Sequence, residues 1–171
     1  MVHTFATSLS ALLDSEYEIL VITGAWREAV EAEVADLAKI FPVRVIYNAS
    51  YRKGGMLSSI QTGISSLTNE RAGLIGLADQ PQAEEATIRI ICKTFLEDHS
   101  SLVIPSFHGH RGHPWLVARS LWADMLSLST ATTSRDFLRM HESEIQYLNS
   151  NASILEDLDT PQEYEMHRPK G

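Results

Sequence analysis

The sequence predicts an α/β layered fold, and three features carry that reading. Short β-branched apolar runs recur along the chain, and segments of helical apolar period separate them. One run, Ala72 to Ala78, is apolar on both faces, as a strand covered by helices on each side must be. The 171 residues suit a single domain spanning residues 1–171, long enough to bury a core without a metal or disulfide staple.

The elements follow in order. Ile19 to Thr23 is a β-branched run closed by Gly24 and reads as a buried strand. Ala25 to Ile40 places Ala29, Val30, Val34, Leu37 and Ala38 on one face and Glu28, Glu31 and Glu33 away from it, a helix stopped by Pro42. Val43 to Tyr47 is the next strand, Asn48 to Gly55 a polar loop, and Met56 to Leu67 a helix with Leu57, Ile60, Ile64 and Leu67 aligned. After the strand that ends at Ala78, a helix is expected over Ala83 to Glu97 and a strand at Leu102 to Ile104. Phe107 to Pro114 is a Gly/His-rich loop, followed by a short strand at Trp115 to Val117. Helical patterns cover Arg119 to Leu126 and Ser134 to His141. Late strands are expected at Ile145 to Leu148 and Ile154–Leu155, with a last helix opened by Pro161.

Composition excludes several classes of function. A net charge of −8 disfavours phosphate-driven binding to nucleic acid, although a few local donors suffice for a small anion. No apolar run is long enough to span a bilayer, and the N-terminus carries no basic region followed by an apolar stretch, so no membrane and no secretory leader are expected. The single cysteine, Cys92, rules out an internal disulfide framework and any thiolate zinc cluster. These features predict a cytoplasmic protein.

In open α/β sheets ligands gather at the carboxyl ends of strands, which directs attention to four loops. Asp79, in Ala78-Asp79-Gln80-Pro81, follows a buried strand directly. It is placed either to hold a hard cation such as Mg²⁺ or to cap the next helix. Asp157-Leu158-Asp159-Thr160-Pro161 offers two carboxylates that point to opposite sides if extended, so one faces the sheet edge or both serve capping. Lys53 to Gly63 joins a Gly54-Gly55 turn to Ser58 and Ser59 at a helix start, which suits either an anion or base pocket or a plain capped turn. His108-Gly109-His110-Arg111-Gly112-His113-Pro114 clusters three histidines at a spacing that matches no established metal pattern, while Arg111 can meet a phosphate or carboxylate.

Taken in order, these segments resemble the MobA-like nucleotidyltransferase family, and within it the molybdenum-cofactor cytidylyltransferase-like branch. Val21-Ile22-Thr23-Gly24 matches the family's V-V-T-G. Asn48, Tyr51, Gly55, Met56, Ser59, Ile60 and Gly63 follow its N-x-x-(W/Y)-x-x-G-M-x-x-S-(I/V/L)-x-x-G pattern with one residue more between Tyr51 and Gly55. Asp79-Gln80-Pro81 matches D-(Q/M)-P, and Gly109, Arg111, Gly112, His113 and Pro114 match G-x-R-G-H-P. Asp157 to Pro161 with Glu163 and Tyr164 matches the closing acidic motif.

The resemblance implies a Rossmann-like, GT-A-type three-layer sandwich with a mostly parallel sheet. It implies transfer of a nucleoside monophosphate from an NTP, CTP or GTP, to a phosphate-bearing small-molecule acceptor such as molybdopterin. Asp79 and Asp159 would be the catalytic acids and the Mg²⁺ ligands. Gly54, Gly55, Ser58, Ser59 and Gly63 would form the nucleotide pocket, and Arg111, Gly112 and His113 the acceptor side.

The sequence also departs from the family. The glycine-rich phosphate loop L-A-A-G-x-S-x-R-M-G-x-x-K does not occur, and Met1 to Leu13 resembles the helix that follows it. The first strand is therefore expected to be missing, and the chain to be inactive or weakly active, since a single oxyanion-type donor contributes about 3 kcal/mol to such transition states. Ser129 to Asp136 replaces a glycine-bearing turn. Strand edges left without a neighbour predict self-association into a homo-oligomer. The alternative reading is a non-catalytic remnant that binds a nucleotide or a partner protein; a histidine-loop metal module is a further one.

Overall fold

The computed structural model describes residues 2–12, 17–80, 84–129 and 131–155. The expected acidic motif at Asp157 and Asp159, Pro81, and the helix expected from Pro161 all lie outside the described residues.

The chain opens with α1 (Val2–Leu12), followed by β1 (Ile19–Thr23), α2 (Arg27–Val34), β2 (Val43–Tyr47), α3 (Tyr51–Ser65) and β3 (Ala72–Ile75). Then come α4 (Glu85–Asp98), β4 (Leu102–Phe107), β5 (His110–Arg111), β6 (Trp115–Ala118), α5 (Trp122–Ser127), α6 (Ser134–Met140) and β7 (Ile145–Asn149). The two strands richest in β-branched residues, β1 and β2, begin and end where the sequence places them.

Several expected elements differ. The strand expected to run from Ala72 to Ala78 ends at Ile75, ahead of the exposed turn that carries Asp79. The helix expected over Ala25 to Ile40 is shorter, because it gives way to a single tighter turn at Leu37–Lys39 before Pro42. The expected loop from Asn48 to Gly55 is helical from Tyr51 onward. Gly55, at φ 54° and ψ −152°, breaks the helix for one residue and lets it resume, a conformation open to glycine alone. Ala152–Leu155 forms a helical turn, where a strand was expected at Ile154–Leu155.

The strands form two sheets. β1 and β2 pair in parallel, while the larger sheet runs β3-β6-β4-β5 with β7 added alongside β4. Parallel pairing in the larger sheet is confined to β4 with β7; β6 is antiparallel to both β3 and β4. The reason is local. The connection from Phe107 to Trp115 holds only β5 and two tight turns, and a parallel return would need a crossover helix. Among the described strands β1 pairs only with β2, and β3 only with β6.

Helices cover both faces of the larger sheet, which gives the three layers. Alternation along β4 sends Leu102 and Ile104 to one face and Val103 to the other, and all three are fully buried. Leu102 and Ile104 join Trp115 and Val117 of β6 against Leu57, Ile60 and Ile64 of α3, Met125 of α5 and Phe137 of α6. Val103 and Leu116 face Ile88, Ile91 and Cys92 of α4 and Phe5 of α1. Phe5 reaches the backbone beyond β3, where a Cβ on Gly76 would stand 2.5 Å from its Cζ. Among the described residues, no helix is long and apolar enough to cross a membrane.

Candidate functional site

The carboxyl ends of β1, β2 and β3 carry the residues that the sequence singled out, and Asn48 holds the first two together. Asn48 is 2% exposed. Its backbone N–H donates to the Thr23 carbonyl at 2.9 Å, which ties the end of β2 to the end of β1. Its side-chain amide donates to Ser58 Oγ at 2.8 Å and to Ser59 Oγ at 3.1 Å. Its Oδ1 accepts from the Ser50 N–H at 2.9 Å. A buried carboxamide with both ends engaged fixes the entry to α3 against the two strands. Asn48 stands in the motif, yet sequence reasoning did not select it as a site residue; a polar residue closing a buried strand was the available signal.

The five residues expected to form the nucleotide pocket all lie on α3, but they have different duties. Ser58 is buried, donates to the Gly55 carbonyl at 2.9 Å and accepts from Asn48, so its hydroxyl is engaged within the protein. Gly54 lies against it, since a Cβ there would stand 2.3 Å from Ser58 Cβ. Gly63 brings α3 close to β1, its Cβ position lying 3.4 Å from Ile22 Cδ1. Gly55 has open space around its Cβ position. Ser59 is half-buried and reaches the Asn48 amide.

Lys53, Gly54 and Gly55 line a cleft of about 340 Å³ whose opposite wall is Ala131, Thr132, Thr133 and Ser134. That wall falls within Ser129 to Asp136, the segment where the sequence departs from the family pattern, and it was not chosen from sequence. It is well ordered chemically. Thr133 caps α6 through a reciprocal box with Asp136, accepting from the Asp136 N–H at 3.3 Å while the Asp136 carboxylate accepts from the Thr133 N–H at 2.8 Å. Hydrogen bonds from the Thr133 hydroxyl and then its N–H hold the Asp136 carboxyl below its ordinary value.

Asp79 is exposed in the turn after β3, and among the described residues no group engages its carboxylate. The neighbouring Gln80 is buried, and its N–H donates to the Leu77 carbonyl at 3.2 Å. A single accessible carboxylate at a strand's carboxyl end fits the donor chemistry of a hard divalent cation, which takes one or two carboxylates and completes its shell with phosphate and water. Asp159, the expected second ligand, lies outside the described residues. Among the described residues, no three His, Cys, Asp or Glu side chains gather to hold a metal ion.

The expected acceptor-side residues sit together near the end of β4. Gly112 packs under the turn at Ala152–Leu155, its Cβ position 2.4 Å from the Ile154 carbonyl oxygen, while its N–H donates to the Pro105 carbonyl at 2.9 Å. His113 stacks on Trp115 at 4.5 Å, and the peptide bond to Pro114 is cis. His108 meets Phe107 edge-on at 4.2 Å, so two of the three loop histidines are turned to aromatic partners. Arg111 donates to both carboxylate oxygens of Glu142 and lies 5.5 Å over the Tyr147 ring. The Tyr147 hydroxyl in turn donates to Glu142 at 3.1 Å. The hydrogen bond from Arg111, then that from Tyr147, holds the Glu142 carboxyl below its usual range. Arg111 thus already has an anionic partner within the chain. Glu142 lies far from Arg111 in sequence, and no local pattern pairs them.

The sequence matches the MobA-like NTP transferase domain over residues 3–145. A search of curated proteins found no match. Among solved structures, the manganese complex of Rv0371c from Mycobacterium tuberculosis H37Rv is similar with a TM-score of 0.68 at 18% identity, covering 97% of this chain and 85% of that one. Molybdopterin-guanine dinucleotide biosynthesis protein A from Archaeoglobus fulgidus aligns with a TM-score of 0.61 at 12% identity, over 96% of this chain and 82% of that one. The bifunctional IspDF from Campylobacter jejuni aligns with a TM-score of 0.66 at 9% identity, over 95% of this chain and 45% of its own. At these identities the structures speak for the fold, whereas the family match spans most of the sequence: the chain belongs to the MobA-like NTP transferase domain family.

Proposed function

We propose that this domain binds an NTP, CTP or GTP, at the carboxyl ends of β1–β3 and passes its nucleoside monophosphate to a phosphate-bearing acceptor such as molybdopterin. The supporting observation is the Asn48 node. It joins Thr23 of the V-V-T-G segment to Ser58 and Ser59 of the segment that follows β2, in one wall beside the Gly54–Gly55 cleft. In the transfer an oxygen of the acceptor phosphate forms a bond to the α-phosphorus. The bond between that phosphorus and its bridging oxygen breaks, and pyrophosphate leaves with the electron pair. Such chemistry asks a protein for positioning and charge neutralisation more than for a nucleophile.

In this reading Gly55 and Ser59 face the nucleobase, while Gly54, Ser58 and Gly63 set the shape of the wall through their packing. Arg111, Gly112 and His113 form the acceptor side, where the acceptor phosphate exchanges with the Glu142 carboxylate on Arg111. Asp79, with Asp159, would hold Mg²⁺, which when bound supplies positive charge to the triphosphate. The 171 residues contain no glycine-rich phosphate loop, so binding with slow or absent turnover is the behaviour expected of this polypeptide by itself. The edges of β1 and β3 support self-association in the same reading.

Calorimetric titration with CTP and GTP, with and without Mg²⁺, tests binding, and pyrophosphate release tests turnover. Mg²⁺-dependent binding that Asp79→Asn weakens is the expected result. Absence of binding by either nucleotide at millimolar concentration would overturn the proposal.

A further inference from the structure

Where α5, the end of α6 and the turn into β7 meet, His141 stands with a carboxylate at each ring nitrogen. We propose that His141 and Asp124 form a site for one divalent transition-metal ion, Zn²⁺ by its donor chemistry, with Glu144 orienting the imidazole.

The ring is held in place by its neighbours. The His141 side chain is 9% exposed, and the residue closes α6, its N–H donating to the Phe137 carbonyl at 3.2 Å. The Phe137 ring, fully buried, lies 4.7 Å from the imidazole between centroids. Nδ1 lies 2.7 Å from Glu144 Oε1, and the Glu144 N–H donates to the His141 carbonyl at 2.9 Å. An ionised carboxylate only accepts, so the proton of the neutral ring sits on Nδ1 and Nε2 presents a lone pair. Histidines that bind metals share this arrangement: the second nitrogen donates to a carboxylate, which fixes the tautomer and makes the ligating nitrogen more basic.

Nε2 is buried and has no hydrogen-bond partner among the described residues. It faces Asp124 Oδ2 at 3.4 Å. A lone pair opposite an ionised oxygen is repulsive, and a positive centre between the two makes the contact favourable. The spacing decides between a proton and a metal. A charge-assisted hydrogen bond draws nitrogen and oxygen to about 2.7–2.9 Å. Two ligands of one tetrahedral zinc, each bonded at about 2.0–2.1 Å, stand about 3.3 Å apart. The observed separation fits the metal. Imidazole in the donor pair favours Zn²⁺ over Mg²⁺. The Asp124 side chain is 53% exposed, which gives the ion a path from solvent and leaves room for water to complete its shell. Glu144 sits at the far nitrogen, so two protein side chains meet the ion. None of the three residues lines the Gly54–Gly55 cleft, and the site stands independently of the transferase reading.

Zn²⁺ alone is titrated into the full chain, free of any affinity tag, while the histidine ring nitrogens are followed by heteronuclear NMR. A saturable displacement of the His141 Nε2 resonance, with Nδ1 still protonated, is the expected result, and it is read in the wild-type fold. Competition with a chromophoric chelator measures the affinity. His141→Gln should abolish this site. Asp124→Asn, at an exposed position, should weaken it about tenfold or more, the loss of one of two protein ligands. Glu144→Gln, which leaves both ligands in place, should weaken it about tenfold or more through the ring it orients. His108→Gln combined with His110→Gln, on the exposed loop, should leave the affinity of the His141 site unchanged. A His141 ring whose resonances do not move at saturating Zn²⁺, or equal affinity in wild type and Asp124→Asn, overturns the proposal.

Discussion

Asn48→Ala removes the node on which the site geometry rests, and its cost can be worked from the structure. The substitution deletes three side-chain hydrogen bonds, to Ser58, Ser59 and the Ser50 N–H. Ser58 keeps its bond to the Gly55 carbonyl, so its hydroxyl loses one of two partners, and the half-buried Ser59 can turn to water. A typical hydrogen bond contributes about 1 kcal/mol net, and a buried donor left unpaired costs about 1–3 kcal/mol. Loss of the three bonds, with partial recovery by solvent, comes to about 3 kcal/mol, a large share of the roughly 5–15 kcal/mol that holds a domain together. Urea unfolding followed by circular dichroism measures it. Ser58→Ala alone and the double variant complete a cycle, whose coupling should be about 0.5–3 kcal/mol for groups in direct contact. A loss below about 1 kcal/mol in Asn48→Ala, or strict additivity in the cycle, would refute the argument that this residue organises the wall.

Three further outcomes follow from the same structure. Gly55→Ala places a Cβ in open space but at φ 54°, so the cost is backbone strain of about 1–3 kcal/mol, visible as a lower urea midpoint; an unchanged midpoint would mean the break in α3 relaxes freely. Cys92, pushed up to about 11 by burial, should resist a thiol reagent such as DTNB at pH 8 until the protein unfolds. Since the unfolded thiol ionises at lower pH than the folded one, stability should be complete below pH 9 and fall between pH 9 and 11 at up to about 1.4 kcal/mol per unit, and Cys92→Ala should remove that slope. Glu142→Gln weakens the ion pair on Arg111, so inorganic phosphate, read by chemical-shift change at the Arg111 side chain, should bind several-fold more tightly than in wild type; equal binding would mean that Glu142 does not compete for that site.

Much of the fold was legible because strands announce themselves by composition. Ile19 to Thr23 and Val43 to Tyr47 are short, β-branched and punctuated by Gly24, Pro42 and Asn48, and their limits coincide with those of β1 and β2. The direction of β6 was not legible. Trp115-Leu116-Val117 has the same apolar character whichever way it runs, and the short connection before it, more than its own residues, decides the pairing. The start of α3 was hidden by Gly54-Gly55, which locally signals a turn. The helix begins at Tyr51 and resumes after a one-residue break at Gly55, and Asn48 bonds to Ser58 and Ser59 just beyond that break.

The site divides in the same manner. Gly63 could be selected from its motif, and Gly54 and Ser58 from the Lys53 to Gly63 segment, but the reason for each, close packing against Ile22, Ser58 and Asn48 respectively, emerges only in three dimensions. Thr132 to Ser134 on the opposite wall and Glu142 on Arg111 come from distant segments with no periodicity or motif to point at them. Asp79 was singled out as a carboxylate following an apolar run, but β3 ends at Ile75 and pairs antiparallel with β6, so Asp79 stands in the turn beyond the strand.

The role of Asp79 in holding a divalent ion is the claim on which the transferase reading turns. Water-proton relaxation of Mn²⁺ in the presence of CTP or GTP measures that ion directly, without requiring turnover. The account predicts a ternary complex with the wild-type chain and an affinity for Mn²⁺ lowered about tenfold or more in Asp79→Asn, since a hard cation loses one of its few carboxylate ligands. Equal Mn²⁺ affinity in wild type and Asp79→Asn would contradict it.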